Sequence, residues 1–161
     1  MDWSRTVRAL LTLAVAIALS YAAWSHLERT NDPEPSTPMP LLHVTVLKDG
    51  DSWVASDGRE YRLGMVNAPE ALEPCGRDAA QFTRRFLADG FTADVYATDP
   101  HGRQVAEVFD SSGDSLNVAL IEAGFSDDRY LDKFRHENPS LARRLDTAFD
   151  RAATPSCRSA H

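Results

Sequence analysis

The segment that decides the fold is residues 48–70, K-D-G-D-S-W-V-A-S-D-G-R-E-Y-R-L-G-M-V-N-A-P-E. Runs of apolar and β-branched residues in it and just before it predict three strands, over residues 43–47, 52–55 and 60–66. Asp-Gly pairs at 49–50 and 57–58 separate these runs, and such a pair between two apolar runs is a strong hairpin signal. The segment therefore predicts an antiparallel meander.

Three charged side chains of this meander are candidates for chemistry. They are Asp51 after the first turn, Arg62 in the third strand, and Glu70 at the end of the N-A-P-E run. A meander brings residues that are distant in sequence onto one surface, so these three side chains could meet. An acid, a base and a cation together suit the attack of water on a phosphodiester.

The rest of the sequence predicts two further strands and three helices, from alternation and from the helical spacing of apolar residues. The strands are predicted over residues 91–98 and 104–109, and the helices over 78–89, 116–123 and 140–153. Five short strands interleaved with helices fit a small, mainly β Greek-key barrel.

Four motifs in order resemble the staphylococcal nuclease family. They are D-G-D-S at 49–52, R-L-G-M-V-N-A-P-E at 62–70, D-P-H-G-R at 99–103 and S-L-N-V-A-L-I-E-A-G at 115–124. The resemblance covers residues 43–152. It implies an OB-fold barrel of five strands with three helices, and a nuclease that hydrolyses the phosphodiester bonds of DNA or RNA. One position departs from the pattern, because Asn67 stands where the family usually has an aspartate.

The resemblance implies catalytic roles for Arg62, Glu70 and Arg103. Glu70 would be the general base, and the two arginines would bind the phosphate, since planar guanidinium groups make paired hydrogen bonds to it. The residues by themselves leave simpler interpretations open. Glu70 fits a solvated loop carboxylate, and each arginine taken alone fits a surface charge.

The resemblance also implies a Ca²⁺ site formed by Asp51, Asn67 and the backbone carbonyl of Ala68. Oxygen donors of this kind suit Ca²⁺ or Mg²⁺. Asparagine keeps an oxygen but removes a full negative charge, so we expect weak binding, or use of a different divalent ion. Asp49 is expected beside this site without touching the ion; a turn residue of D-G-D is an equally good interpretation.

Two further residues are candidates for contact with the substrate. Tyr130 matches a family position where a tyrosine packs against the nucleotide, and stacking of a base on an aromatic ring tolerates any sequence. His101 lies where the family often has another aromatic residue. A half-buried tyrosine and a solvated loop histidine are the plain alternatives.

The chain is acidic, with a net charge of −7 and with fifteen arginines but two lysines. A protein that holds nucleic acid by a broad electrostatic field is basic. The charge therefore argues against a tight architectural DNA binder. Contact with a nucleic acid substrate should be local, through a few arginines.

Residues 1–30 predict a targeting segment. Arg5 and Arg8 precede an apolar run over residues 9–24, whose length lies between that of a signal-peptide core and that of a membrane-spanning helix. Trp3 and Trp24 bracket this run as interfacial anchors do, which favours an uncleaved signal anchor with the domain outside the cytoplasm. A small-x-small site at residues 20–22 leaves a cleaved signal peptide and a secreted protein open.

A spacer and a single domain are predicted after this segment. Residues 31–40, N-D-P-E-P-S-T-P-M-P, hold four prolines and favour an extended chain. The nuclease-like domain is predicted over residues 41–153, with a tail at 154–161. Outside the cytoplasm Cys75 and Cys157 can pair, so the sequence predicts a disulfide between them, with two unpaired thiols as the alternative.

The sequence thus predicts a hydrolase, a membrane-anchored or secreted nuclease that acts on DNA or RNA, with no obligate protein partner evident. One alternative is a catalytically silent OB-fold module that binds nucleic acid or a protein partner at the membrane surface. Another is a membrane-attached interaction protein that reuses the scaffold. The presence of Arg62, Glu70 and Arg103 together favours the enzyme, because a decayed site has no reason to keep all three.

Overall fold

The computed structural model of the protein describes residue 20 and residues 40–155. Five strands and three helices follow one another within residues 40–155. The strands are β1 (Val44–Leu47), β2 (Ser52–Ala55), β3 (Glu60–Leu63), β4 (Phe91–Thr98) and β5 (Gln104–Asp110). The helices are α1 (Gly76–Phe86), which lies between β3 and β4 in the chain, and α2 (Leu116–Glu122) and α3 (Pro139–Asp150), which follow β5.

The five strands form one mixed sheet in the order β1-β2-β3-β5-β4. Neighbouring strands are antiparallel except β3 and β5, which run parallel. Leu42 and Phe91 exchange two backbone hydrogen bonds of 2.8 Å, which join the chain just before β1 to the start of β4. A sheet whose two edges meet in this way has the form of a small barrel. Five strands with three helices agree with the predicted OB-like fold.

Aromatic side chains from three strands meet in the interior. Trp53 and Tyr61 both contact Phe91 edge to face, and each of their ring centroids lies 5.6 Å from that of Phe91. Helices α2 and α3 add buried aliphatic side chains to the same core: Leu116, Leu120, Ile121, Leu141 and Leu145. Because side chains alternate along a strand, the burial of Tyr61 and Leu63 leaves Arg62 on the opposite face of β3.

Strand β3 ends at Leu63, three residues earlier than the sequence predicts. Met65 has a φ of 60°, a left-handed conformation that does not continue a strand. The buried side chain of Asn117, in α2, donates from Nδ2 to the Gly64 carbonyl at 3.0 Å and accepts from the Val108 N–H at 3.0 Å. Asn117 therefore fixes the turn that follows the strand of Arg62.

Helix α1 begins at Gly76, two residues before the predicted start, and ends at Phe86, three residues before the predicted end. A side chain on Gly76 would come within 1.8 Å of the carbonyl oxygen of Glu70. The loop that carries Glu70 thus packs directly on the first turn of α1, at a distance that only glycine permits. The spacing of apolar residues does not reveal this contact, because the contact involves backbone atoms.

An ion pair links the sheet to the last helix. Glu107 of β5 is 3 % exposed and accepts a hydrogen bond of 2.5 Å from Nη2 of Arg144 in α3. A carboxylate buried to this degree requires a partner charge. The position of α3 against β5 therefore depends on this pair as well as on apolar packing.

The predicted targeting segment and spacer lie outside the described residues apart from Ser20 and Pro40, and so does most of the predicted tail. In the part of the chain that the structure describes, no helix has the length and apolar character needed to cross a membrane. The assignments for residues 1–39 therefore stay predictions.

Candidate functional site

Asp51 and Arg62 form the centre of the candidate site. Arg62 is 13 % exposed at its side chain, and its Nη1 contacts Oδ1 of Asp51. This contact lacks the alignment of a hydrogen bond, since Nη1 is buried with no hydrogen-bond partner, and it is best described as an ion pair. The other carboxylate oxygen of Asp51 accepts from the Ala68 N–H at 2.6 Å. One buried carboxylate thus joins the turn before β2, strand β3 and the loop after β3.

Asp49 shapes the D-G-D turn. Its Oδ1 accepts from the Asp51 N–H at 3.0 Å and from the Ser52 hydroxyl at 2.8 Å. Gly50 lies between them in a narrow space, where a Cβ atom would come within 2.8 Å of the Cβ atoms of Ala68 and Ala79. These contacts assign Asp49 to the turn.

Burial raises the pKa of the Asp51 carboxyl from its ordinary value of 3.8 to about 7. The Asp49 carboxylate adds to this rise, whereas the Arg62 guanidinium and the Ala68 N–H act against it. Desolvation is the largest effect, because a carboxylate withdrawn from water loses more hydration free energy than the Arg62 guanidinium and the Ala68 N–H restore.

Arg103 is held by Asp99, four residues earlier in the β4–β5 turn. Its Nε donates to Oδ2 of Asp99 at 2.7 Å, and Oδ1 of Asp99 accepts from the backbone N–H groups of His101 and Arg103. Partial burial opposes ionisation of Asp99, but the hydrogen bonds from Arg103 and His101 prevail and lower its pKa. Asp99 therefore stays ionised and orients the Arg103 guanidinium.

Tyr130 lies close to two cations. The Cζ atom of Arg62 is 5.7 Å from the centroid of the Tyr130 ring, and Nζ of Lys133 is 5.3 Å from the same centroid. Nζ of Lys133 is also 5.5 Å from the ring centroid of Phe134. Cations at these distances are attracted to the ring electrons.

A cavity of about 200 Å³ brings several of these side chains together. Its lining includes Arg62, His101, Arg103, Tyr130, Lys133 and Phe134. Four of the predicted site residues, Arg62, His101, Arg103 and Tyr130, thus share one cavity. The cavity combines cations with aromatic rings, which is the chemistry that binds a phosphate attached to a sugar and a base.

Glu70 is not among the residues that line this cavity. It is exposed, and its backbone is fixed by Glu73, whose Oε2 accepts from the Glu70 N–H at 2.9 Å and whose N–H donates to the Glu70 carbonyl at 2.8 Å. None of the described residues forms a hydrogen bond or an ion pair with the Glu70 carboxylate. Glu70 therefore presents an exposed carboxylate from an ordered loop.

Asn67 is engaged with a residue sixty positions later. Its Nδ2 donates to Oδ2 of Asp127 at 3.0 Å, and its backbone carbonyl accepts from the Asp127 N–H at 3.2 Å. The Asn67 N–H donates to the Ser126 hydroxyl at 3.0 Å. A carboxylate only accepts hydrogen bonds, so Asp127 fixes the amide nitrogen of Asn67 and leaves the amide oxygen available on the other side.

The residues predicted to hold a metal ion fit a weak oxygen site. The Asp51 carboxylate, the Asn67 amide oxygen and the Ala68 carbonyl are donors of the kind that Ca²⁺ accepts, but only Asp51 is charged. Both carboxylate oxygens of Asp51 already contact Arg62 or Ala68. Among the described residues, no three His, Cys, Asp or Glu side chains are grouped as metal ligands.

Sequence reasoning missed three residues of this region: Asp99, Asp127 and Lys133. The i, i+4 spacing of Asp99 and Arg103 was a usable signal, because it places the two at the ends of one short turn. No sequence signal pointed to Asp127 as the partner of Asn67. Lys133 was recognisable only as one of two lysines in the chain.

Comparison with known families supplies the remaining observation. A family model described as staphylococcal nuclease homologue matches residues 60–151, more than half of the 161 residues. The chain belongs to this family. The match begins with β3, so the D-G-D turn with Asp49 and Asp51 lies before it. No curated protein matches the chain closely enough to be counted as a relative.

Cys75 precedes α1 in this member of the staphylococcal nuclease family. It is 7 % exposed, with a φ of 67°. No cysteine of the described part of the chain is a free thiol. Cys157 lies outside the described residues, so its pairing with Cys75 stays a prediction.

Asp51→Asn should weaken the loss of stability that the folded protein shows as the pH rises from 4 to 7, because it removes a carboxylate that resists ionisation when buried. The pKa of Asp51 rises from 3.8 to about 7 on folding. The free-energy cost of ionising the buried Asp51 carboxyl is therefore absent below pH 4 and grows until pH 7. Urea unfolding from pH 4 to pH 8 in the presence of a chelator measures this. The same pH dependence in wild type and variant would contradict the raised pKa.

Proposed function

We propose that this protein is a nuclease that hydrolyses phosphodiester bonds of DNA or RNA. The observation that carries the proposal is the cavity in which the side chains of Arg62 and Arg103 meet, in a chain of the staphylococcal nuclease family. A carboxylate, Asp51 or Asp99, holds each guanidinium. Such cations are oriented before the substrate arrives, and this is the arrangement that stabilises charge developing on a phosphoryl group.

In the proposed reaction, Arg62 and Arg103 bind the non-bridging oxygens of the scissile phosphate. Glu70 accepts a proton from a water molecule as the water oxygen attacks phosphorus. The bond from phosphorus to the leaving oxygen breaks, and that oxygen departs with the bonding electron pair. The exposure of Glu70 and the fixed backbone of its loop support this role, since a general base must contact the attacking water molecule.

We also propose that the reaction uses a divalent ion, with Ca²⁺ as the first candidate. Asp51, the amide oxygen of Asn67 and the carbonyl of Ala68 would hold it. A bound divalent ion would supply positive charge for the phosphoryl oxygens. The contacts of Asp51 with Arg62 and Ala68 predict that binding is weak, because the ion must compete for the carboxylate.

Glu70→Gln should lower the rate of cleavage by about 10²–10⁴-fold, the usual contribution of a general base, with little change in folding. The measurement is the cleavage of single-stranded DNA and RNA by the soluble domain. Glu122→Gln is the matched control, because Glu122 is an exposed glutamate at the end of α2. Activity of Glu70→Gln within a few-fold of wild type would remove Glu70 from the mechanism.

Asn67→Asp should lower the Ca²⁺ concentration for half-maximal cleavage by about tenfold, since one more charged ligand is worth at least about 1.4 kcal/mol at a divalent site. Calorimetric titration of Ca²⁺ into the free protein gives a second readout. Asn138→Asp is the control, because it adds a carboxylate at the N-cap of α3, where the side chain accepts from the Leu141 N–H. Equal titrations of wild type and Asn67→Asp would show that residue 67 does not contact the ion.

A catalytically silent module is the second candidate function. The observation in its favour is that Asn67 is bound to Asp127 and Asp51 to Arg62, which leaves few free ligands for a metal. Such a module would still bind nucleic acid through the same cavity, or a protein partner. It predicts that wild type binds an oligonucleotide but does not cleave it at any concentration of divalent ion.

We further propose that the domain acts outside the cytoplasm, attached to the cell membrane by residues 9–24 or secreted after cleavage, with a disulfide between Cys75 and Cys157. The supporting features are the apolar run, the proline-rich spacer and the burial of Cys75.

Exported full-length protein should stay with membranes through a carbonate wash and should give no thiol labelling before reduction. A soluble product that begins near residue 23 shows secretion instead, and quantitative labelling of both cysteines rules out the disulfide.

A further inference from the structure

Asn67 is held by Ser126 and Asp127 through each of its polar groups except the amide oxygen. Its backbone N–H donates to the Ser126 hydroxyl at 3.0 Å, and its backbone carbonyl accepts from the Asp127 N–H at 3.2 Å. Its side-chain Nδ2 donates to Oδ2 of Asp127 at 3.0 Å. None of the described residues forms a hydrogen bond with Oδ1 of Asn67. The amide oxygen is therefore available to a ligand.

The Asp127 carboxylate is itself fixed within its own segment. Its Oδ1 accepts from the Arg129 N–H at 3.0 Å, and Nη2 of Arg129 lies 3.4 Å from its Oδ2. The Ser126 hydroxyl donates to the Asp127 carbonyl at 2.9 Å. Because an ionised carboxylate only accepts hydrogen bonds, Asn67 must face Asp127 with its nitrogen. The orientation of the Asn67 amide is therefore imposed from outside the residue.

This orientation matters because the two ends of an asparagine amide differ. The oxygen can bind a cation, and the nitrogen cannot. An aspartate has two equivalent oxygens and needs no such help. Asparagine at position 67 therefore needs a neighbour that accepts a hydrogen bond from its nitrogen, and Asp127 is such a neighbour. A side chain that is already held in its binding orientation loses less rotamer freedom when the ligand arrives.

On the basis of the proposed metal-dependent reaction, we propose that Asp127 is a positioning residue for the divalent ion. It binds the amide nitrogen of Asn67 and so keeps the amide oxygen free for the ion, which Asp127 itself does not contact. Residues behind a metal ligand commonly orient it in this way. The hydrogen bond from Asn67 to Asp127 thus prepares Asn67 as a ligand. The effect of Asp127 on metal affinity then depends on an asparagine at position 67.

The orientation is tested first in wild type without metal. Full-length protein labelled with ¹⁵N, in detergent and with a chelator, is measured by NMR. One Nδ2 proton of Asn67 should exchange slowly with water because it is bonded to Asp127, and Asp127→Ala should remove this protection. Rapid exchange in wild type would show that the amide is not held, and would overturn the inference. This measurement needs neither a metal nor cleavage.

Metal affinity is tested next by NMR titration of the same protein with Ca²⁺, and separately with Mg²⁺. Asp127→Ala should raise the Kd about 3–10-fold, the cost of immobilising one freed side chain. Asp128→Ala is the matched control, because Asp128 is the exposed next residue and does not contact Asn67. It removes the same charge and should change the Kd less than twofold.

A change of residue 67 separates orientation from charge. In the Asn67→Asp background, residue 67 donates no hydrogen bond to Asp127 and has two equivalent oxygens. Asp127→Ala should then change the Kd less than twofold, as Asp128→Ala does. An effect of the Asp127 charge on the ion would instead appear equally with asparagine and with aspartate at position 67.

Equal losses in the two backgrounds, or equal losses with Asp127→Ala and Asp128→Ala, would overturn the inference and leave the metal-dependent reaction standing. If neither wild type nor Asn67→Asp binds a divalent ion, the inference falls together with the metal part of the proposed function. Melting temperatures of all variants, measured with chelator beside wild type, separate these results from a loss of fold.

Discussion

The candidate site depends on the contact between the Asp51 carboxylate and the Arg62 guanidinium. Asp51 lies in the turn before β2, and Arg62 lies in β3. Asp51 also accepts a hydrogen bond from the N–H of Ala68, which lies in the loop that leads to Glu70. Removing one partner from a buried charge costs several kcal/mol, because the remaining charge is left without compensation. The turn, the strand and the loop are therefore coupled, and a shift in one of them is transmitted to the side chains that face the cavity.

The same principle recurs at Arg103, which is fixed by Asp99 within a single short turn. A guanidinium that a carboxylate already orients has lost its rotamer freedom before substrate arrives, so less entropy is lost on binding. This arrangement explains how an acidic protein can offer a site for an anion. The attraction comes from a few oriented cations in one cavity, and the net charge of the molecule has little part in it.

At position 67 the chain differs from the usual pattern of its family, and the structure gives this difference a physical setting. The side-chain amide of Asn67 donates a hydrogen bond to Asp127, so the carboxylate here belongs to residue 127 and not to residue 67. Two carboxylates at that distance would repel each other, and asparagine avoids the repulsion. Position 67 therefore carries no negative charge of its own.

The sequence by itself determined the elements and their general arrangement. Alternation and the two Asp-Gly turns located the hairpins, because these signals act within a few residues, and the motifs identified Arg62, Glu70 and Arg103 as the residues to examine. The end of β3 was misplaced because Asn117, more than fifty residues later, binds the turn that follows it. The start of α1 was misplaced because apolar spacing does not reveal the close backbone packing of Gly76 on the Glu70 carbonyl.

Only the tertiary structure decided which side chains meet. Asp127 binds Asn67 across sixty residues, and Lys133 is positioned by aromatic rings and not by an ionic partner. The contact of Asp127 has no periodic signature in sequence, because it arises where separate segments converge. Tyr130 and Lys133 are neighbours in one segment, but the position of that segment beside Arg62 depends on the fold. Spacing along a chain predicts local geometry, whereas the partner of a charge depends on how the whole chain folds.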